Sequence, residues 1–509
     1  MRSRLTLIGV PVALVLLLGF GIPLPFEGPY LLPVLLITAL IQFLPPRNAL
    51  LIVLAWGSIS GWAKLASQWN PLIYIAIDLL LLAILARWLA VALPEKRSLF
   101  GGVPFARPVF LFMLLTVVLM FSPLTHPIIA LGGIKAYVIP LLIYCLAYQV
   151  FTTPQQIQRA LIVLSVPALL VAAYTFIQVM TGLQELLVFY SPQDLATFYF
   201  QGTLRVDEHT GALNFRPFST LQDAGTAAHF NLIGLFLGIA LLGRLTAPSS
   251  EKRNRLLPCL GALLALTAGG AVVISAVRVA WISALSAILF LLWLSRGRAV
   301  ALMPLLAVAT MGAITFAGDS ILGQDMLRRA LTMTTPVDAF EQSRGFGWWY
   351  NNLWMLQNTP FGVGMGKAAP GLGGIERFTS VDRGFWLPPP DNLVGGLLVE
   401  VGAPGTLLFL GVVAAILVRA TFRVPSLPAR ERGMALGLTG AVLAIAVTGL
   451  AGIGLFSTPI NLYFWTLNAM LMRLCSSPRS PVPLVTPPPA VPAPPPDHQA
   501  RESERPLAH

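Results

Sequence analysis

The sequence predicts an all-α, polytopic integral membrane protein with about fourteen (12–14) transmembrane helices and two long extracytoplasmic loops. Three observations predict it. Of the 509 residues, 56% are hydrophobic and only 11% are charged, far more apolar than a soluble core of this size needs. Apolar runs of the ~20 residues that cross a bilayer recur along most of the chain. Basic residues gather in alternate connections, as they do in cytoplasmic loops. The formal net charge of +12 follows from that topology and calls for no nucleic acid.

The first apolar run, about 5–24, follows "MRSR". No small-residue cleavage site follows it, so it reads as a span and not as a signal peptide. Further spans are expected at about 30–44, 49–66, 71–93, 108–125, 134–151, 157–180, 225–243, 257–275, 279–295, 299–318, 393–418, 433–454 and 457–473. With the N-terminus inside, the inner connections receive Arg47, "EKR" with Arg107, Arg159, Arg244 with "EKRNR", "SRGR" and "RATFRVPSLPARER". The outer side receives the long segments 181–224 and 319–392, a length that usually marks a functional or disordered loop. From 474 to 509 the chain is proline-rich and polar, which predicts a disordered cytoplasmic tail. Cys145, Cys259 and Cys475 fall in spans or at their inner ends and form no disulfide framework or metal motif.

The informative residues are arginines on the outer side, because they run against the positive-inside pattern. Arg216 lies in "NFRPFSTLQDAGTAAHFN", just before a span. Arg278 lies in "VISAVRVAW", a tight outer turn between two spans. Arg344 lies in "EQSRGFGWWYNNLWMLQN", in the second long loop. A cation at the membrane boundary is costly unless paired or hydrated, and a snorkelling arginine is the simpler account. A planar guanidinium also grips phosphate through two parallel hydrogen bonds, so these arginines are candidates for holding a diphosphate head group. The tryptophans Trp348, Trp349 and Trp354 predict an interfacial helix that ends before Pro360.

"GVGMGK" is not a nucleotide loop. Phe361 and Ala368 stand where a Walker motif needs Gly and Ser or Thr, so its glycines are expected to form a turn that lets backbone approach closely. His126, His209 and His229 are scattered and carry no metal-ligand spacing, so no metal is expected. Asp78 reads as a helix-packing hydrogen bonder and Arg87 as a snorkelling cation. Glu400 falls about two turns into the span that follows Asn392. A lone carboxylate there is either functional or bonded to a neighbouring hydroxyl or arginine.

Taken in order, several segments resemble the O-antigen ligase and O-antigen polymerase-like membrane proteins. They are "IKAYVIPLLIYCLAYQVF" with "AAYTFIQVMTG", "FRPFSTLQDAGTAAHF", "VVISAVRVAWISALSAILFLL", "NNLWMLQNTPFGVGMGKAAP" and "PDNLVGGLLVEVGAPGTLLFLGV". Together they span roughly 130–420, and the order carries more weight than any one piece. The resemblance divides the chain into N-terminal transmembrane helices (1–130), a ligase-like core (131–473) holding both long loops, and the tail (474–509).

What the resemblance implies is an enzyme of the bacterial inner membrane, working at the periplasmic face. It would move a saccharide from a polyprenyl (undecaprenyl) diphosphate carrier onto a glycan or lipid acceptor, in lipopolysaccharide or exopolysaccharide synthesis, with no cofactor and no metal. Arg216, Arg278 and Arg344 would bind the diphosphate and neutralise the leaving group. The family's base is a histidine before the asparagine, and here that place is taken by Asp391. An aspartate, with an ordinary pKa of about 3.9, needs burial to become a base at neutral pH. Asp391 also suits a helix cap, and the two roles are compatible. Asn392 and Glu400 would orient the acceptor. The missing histidine tilts the expectation toward a polymerase, or a ligase for an unusual acceptor. The competing expectations are a transporter or flippase for the same lipid, and a non-catalytic binder in a polysaccharide export complex.

Overall fold

The computed structural model describes residues 41, 43–66, 71–122, 127–182, 204–206, 213–221, 223–243, 256–295, 345–368, 392–452 and 454–476. They form α1 (Pro46–Ala66), α2 (Pro71–Ala92), α3 (Ala106–Met120), α4 (Pro127–Val150) and α5 (Pro154–Thr181). A short antiparallel pair follows, β1 (Leu204–Val206) and β2 (Leu213–Phe215). Then come α6 (Ala224–Leu242), α7 (Leu256–Ile274), α8 (Arg278–Leu294), α9 (Gly345–Asn358), α10 (Leu393–Arg423), α11 (Ala429–Gly449) and α12 (Ile460–Ser476).

Seven of the described helices are long and apolar enough to cross a membrane: α2, α4, α5, α6, α7, α10 and α11. The chain therefore reads as a polytopic membrane protein. The expected fourteen spans are not reached among the described residues. Helices α3 and α8 are apolar but short. Helix α1 carries a buried lysine, Lys64, in its last turn, and α12 carries Asn461, Thr466 and Asn468, all buried. The expected spans at 5–24 and 299–318, and most of that at 30–44, lie outside the described residues.

The helix starts follow local chemistry. Before α5, the Thr153 hydroxyl accepts the Gln156 amide at 3.3 Å, and the Gln156 side-chain oxygen accepts the Thr153 amide at 3.4 Å. This reciprocal cap, with Pro154 at the first helical position, satisfies donors the helix cannot pair itself. Asp223 starts α6 by accepting the Thr226 amide at 2.8 Å and the Thr226 hydroxyl at 2.5 Å. Asn392 starts α10 by accepting the Gly395 amide at 2.6 Å.

Helix α6 is the centre of the bundle, packed between α7 and α11. Small residues make this possible, since membrane helices associate by close backbone approach. A Cβ on Gly238 would stand 2.6 Å from the Ala265 nitrogen, and one on Gly437 would stand 2.5 Å from the Ala240 backbone. Gly243 and Gly433 are closer still, with a Cβ on Gly243 falling 2.4 Å from the Gly433 Cα. The same core continues around Tyr137, Phe112, Phe409 and Trp465, where edge-to-face and tilted rings join α3, α4, α10 and α12.

One end of the bundle is rich in arginine. There Arg430 donates to the Gln158 side chain at 2.8 Å, and Arg473 donates to the Thr152 carbonyl at 3.3 Å. Arg107, Arg159, Arg423 and Arg432 belong to the same end. Arg87 does not simply snorkel. Its guanidinium reaches back across the chain to the carbonyls of Ile41, at 2.7 Å, and Leu44. Of the cysteines, Cys145 and Cys475 are buried, Cys259 is exposed, and all three are free thiols.

Candidate functional site

The opposite end gathers the polar groups. There the N-terminus of α6 meets the 3-10 turn Gly454–Phe456, because a Cβ on Gly454 would stand 2.2 Å from His229 Nδ1. The N-terminus of α10 meets the same turn, since a Cβ on Gly396 would fall 2.8 Å from the Phe456 ring.

The segment leading from β2 into α6 is bolted down residue by residue. The Gln178 side chain, buried near the end of α5, accepts the Phe218 amide at 3.0 Å and the Ser219 amide at 2.6 Å. Its Nε2 donates back to the Ser219 carbonyl at 3.2 Å. The Ser219 hydroxyl donates to the Val171 carbonyl at 2.6 Å. Thr220 inserts into α1. Its hydroxyl donates to the Ser58 carbonyl at 2.7 Å, and its carbonyl accepts the Trp62 amide at 2.9 Å. Ser58 and Trp62 would pair with each other in an uninterrupted helix, so Thr220 bridges an opened turn.

That anchoring fixes Arg216, which is 8% exposed. Its Nη2 donates to the Ala276 carbonyl at 3.5 Å. Ala276 sits in the α7–α8 turn with φ 52°, and Arg278 begins α8 two residues later. The structure thus brings Arg216 to the turn that carries Arg278, across an intervening helix pair. Arg344 lies outside the described residues.

The second part of the site is a broken helix and the loop that mends it. Within α10, Gly402 leaves the helical conformation, with φ 65° and ψ −172°. The loop 359–368 fills the gap. The Ala403 amide donates to the Pro360 carbonyl, and the Val363 amide donates to the Val399 carbonyl, each at 2.7 Å. A Cβ on Gly362 would stand 2.7 Å from the Gly402 nitrogen. Gly362, Gly364 and Gly366 all have positive φ (79°, 110° and 87°), a conformation side chains resist. The expected turn at "GVGMGK" is therefore present. α9 ends at Asn358, two residues before Pro360, and its Met355 packs on Val363 and Val399.

Glu400 is fully buried beneath this loop. Its Oε1 accepts the Ala368 amide at 2.7 Å, a charge-assisted length. The Tyr137 hydroxyl on α4 lies beside the same carboxylate, within reach of its field. Asn392 is 2% exposed, and its side chain is engaged in the α10 cap. Asp391 lies outside the described residues, and the residue that caps α10 is Asn392. Lys367 is 8% exposed, and burial pushes its ammonium below the ordinary lysine value.

Three features escaped the sequence reading. Lys135 forms an ion pair with Asp78 at 2.8 Å, so Asp78 is more than a hydrogen-bonding contact. Lys64, almost fully buried, lies in the electrostatic reach of Lys135, Asp78 and Asp223. His229 is buried with neither ring nitrogen hydrogen-bonded. The signal for the first two was a lysine in each of two apolar helices, and the partner was not legible because it stands on another helix. His209 lies outside the described residues.

No protein-family model matches the chain, and no curated protein matches it.

Proposed function

We propose that this chain is a glycan transferase. It moves a saccharide from a polyprenyl (undecaprenyl) diphosphate carrier to a glycan or lipid acceptor at the extracytoplasmic face of a bacterial inner membrane. One observation carries the reading. Arg216 is held by Gln178-anchored backbone against the turn that carries Arg278. Two guanidinium groups at a helix turn, at the end of the bundle away from the arginine-rich connections, suit a diphosphate better than they suit a neutral ligand.

In this reading Arg216, Arg278 and Arg344 neutralise the diphosphate as the sugar–phosphate bond breaks. Asp391 takes the proton of the acceptor hydroxyl as it attacks the anomeric carbon. Asn392 fixes the start of α10 and adjoins Asp391 in the sequence. Glu400 positions the loop 359–368 through Ala368. The two act through backbone groups, which makes them positioning residues.

The test is transfer from a synthetic polyprenyl-diphosphate oligosaccharide in liposomes, with donor and acceptor on one side. Wild type transfers, Asp391→Asn binds donor without transferring, and Arg278→Ala loses donor binding. A wild type that binds donor but transfers to no acceptor sinks the proposal.

One observation favours a second reading, a transporter of the same lipid. Transporters use broken helices near their substrate sites, and α10 is broken at Gly402. In that case labelled lipid crosses the liposome membrane in a protein-dependent way, and no sugar is transferred.

A further inference from the structure

In two helices a backbone hydrogen bond is taken over by a segment from elsewhere in the chain. An α-helix pairs each carbonyl with the amide four residues on. In α10 that rule would give the Val399 carbonyl to the Ala403 amide. Instead the Val363 amide donates to the Val399 carbonyl and the Ala403 amide donates to the Pro360 carbonyl, each at 2.7 Å. The loop tip 360–363 thus stands inside one helical bond, as Thr220 stands inside the Ser58–Trp62 bond of α1. The Thr220 wedge is bolted in place through Gln178 and Ser219. The tip 360–363 is held differently. Val363 packs with Met355, Ala368, Leu398 and Val399 in a small cluster apart from the main core. Such small satellite clusters open at lower cost than a bundle core. The far end of the loop is anchored, with Gly366 against Ile129 and the Ala368 amide on Glu400.

We propose that the tip 360–363 and α10 form a two-state latch. In the closed state, the one seen in the structure, the tip splits the Val399–Ala403 bond and α10 is broken at Gly402. In the open state the tip withdraws with α9, pivoting at Gly364. Val399 and Ala403 then pair with each other, and Gly402 turns helical. The exchange strands no buried backbone group. Helix α10 keeps both groups bonded in either state, and the tip's own groups pass to solvent at the exposed end of the loop, where Pro360 and Phe361 already lie. The local sequence suits both states. Gly402, with φ 65° and ψ −172°, holds a conformation open only to glycine, yet glycine also enters a helix. Pro404 has no amide to give the Glu400 carbonyl, so α10 is one bond short at this point in any case. Gly364, with φ 110°, separates the tip from the anchored end. The latch moves the wall of the candidate site, because the outer half of α10 starts at the Asn392 cap. It holds for a transferase and for a transporter alike, so it goes beyond the reading above and does not rest on it.

The test is hydrogen exchange at single-amide resolution, on the full chain in nanodiscs of zwitterionic lipid. It compares the amides of Val363 and Ala403 with those of α6. Pro404 is exposed, so Pro404→Ala creates no clash and supplies the unbroken helix with its missing donor. The variant raises Val363 exchange by about ten-fold or more, while Ala403 and α6 keep their wild-type rates, because Ala403 is bonded in both states. Gly402→Ala pushes further. Its Cβ overlaps the Phe361 backbone in the closed state but fits a regular helix. This variant folds, keeps α6 and Ala403 protected, and leaves Val363 unprotected. Val363 and Ala403 speeding up together in Pro404→Ala overturn the proposal, since a helix that merely frays loses both bonds. A wild-type rate at Val363 in Pro404→Ala overturns it as well. So does Val363 exchange that rises only in step with α6, which is global unfolding. Failure of Gly402→Ala to fold counts the same way, because α10 would then have no unbroken form.

Discussion

The Ala368 amide donates to Glu400 Oε1 at 2.7 Å, and this bond ties the inner part of the loop 359–368 to a carboxylate buried in the bundle. A glutamate with no exposed surface requires compensation from its neighbours. Here the compensation is also an instruction, because the bond sets where the loop's last residues lie. Glu400→Leu should destabilise the protein by ~1–3 kcal/mol, the cost of leaving a buried donor unpaired. Glu400→Gln keeps an accepting oxygen and should lose less. Hydrogen exchange across 359–368, with thermal melting in detergent, checks both. Equal protection of the loop in Glu400→Leu and wild type would remove Glu400 from this role.

The glycines of the same loop separate conformational need from mere space. Gly366 has φ 87°, and a Cβ there would fall 2.1 Å from the Ile129 carbonyl. Gly366→Ala is therefore expected to prevent recovery of folded protein or to cost more than ~3 kcal/mol. Gly411, inside α10, has nothing within 4 Å of its Cβ position. Gly411→Ala should be neutral or stabilise by up to about 1 kcal/mol, the helix-propensity difference. Expression and melting of the two variants side by side give the comparison. A harmless Gly366→Ala would mean that the loop does not press on α4 as described.

Much of this fold was legible in the sequence, and the failures have physical reasons. Apolar length located α4, α5, α6 and α7, and the arginines expected on the outer side stood out by running against the charge pattern. The break at Gly402 had a local signal in "GAPG", but its flanks, "LLVEV" and "TLLFLGV", are both apolar, so hydropathy reads through it. Its meaning appears only when Pro360 and Val363 supply the missing backbone partners. The Lys135–Asp78 pair was hidden for a similar reason: hydropathy scores each charge alone, whereas pairing depends on which faces of α2 and α4 meet. Thr220 falls in the segment 181–224 expected as a long loop, and nothing local marks it as a wedge in α1.

The Lys135–Asp78 pair makes a quantitative case. Both side chains are largely buried, at 18% and 11% exposure. Removing one partner should cost ~3–5 kcal/mol, because the other charge stays behind, and here Lys64 adds to the imbalance. Asp78→Asn would leave two lysines facing each other and should be the worse single variant. Lys135→Met combined with Asp78→Leu should recover much of the loss. A double-mutant cycle on melting temperatures measures the coupling, and additivity of the two single effects would show that the pair contributes nothing.

The clamp around Gln178 links stability to binding. Its oxygen accepts two backbone amides and its nitrogen donates to a third backbone group. Gln178→Leu removes all three bonds while keeping the side chain's bulk, and should cost ~2–4 kcal/mol with two buried amides left unpaired. Because the clamp places Arg216, the variant should also lose affinity for the diphosphate carrier. Arg216→Lys tests the guanidinium itself. A point charge cannot reproduce the planar fork that reaches Ala276, so affinity should fall by ~10-fold with little change in melting temperature. The two variants should then differ in kind. Gln178→Leu lowers both melting temperature and donor affinity, whereas Arg216→Lys lowers affinity alone. If Gln178→Leu melts early yet binds donor like wild type, the clamp supports the fold only, and Arg216 finds its place without it.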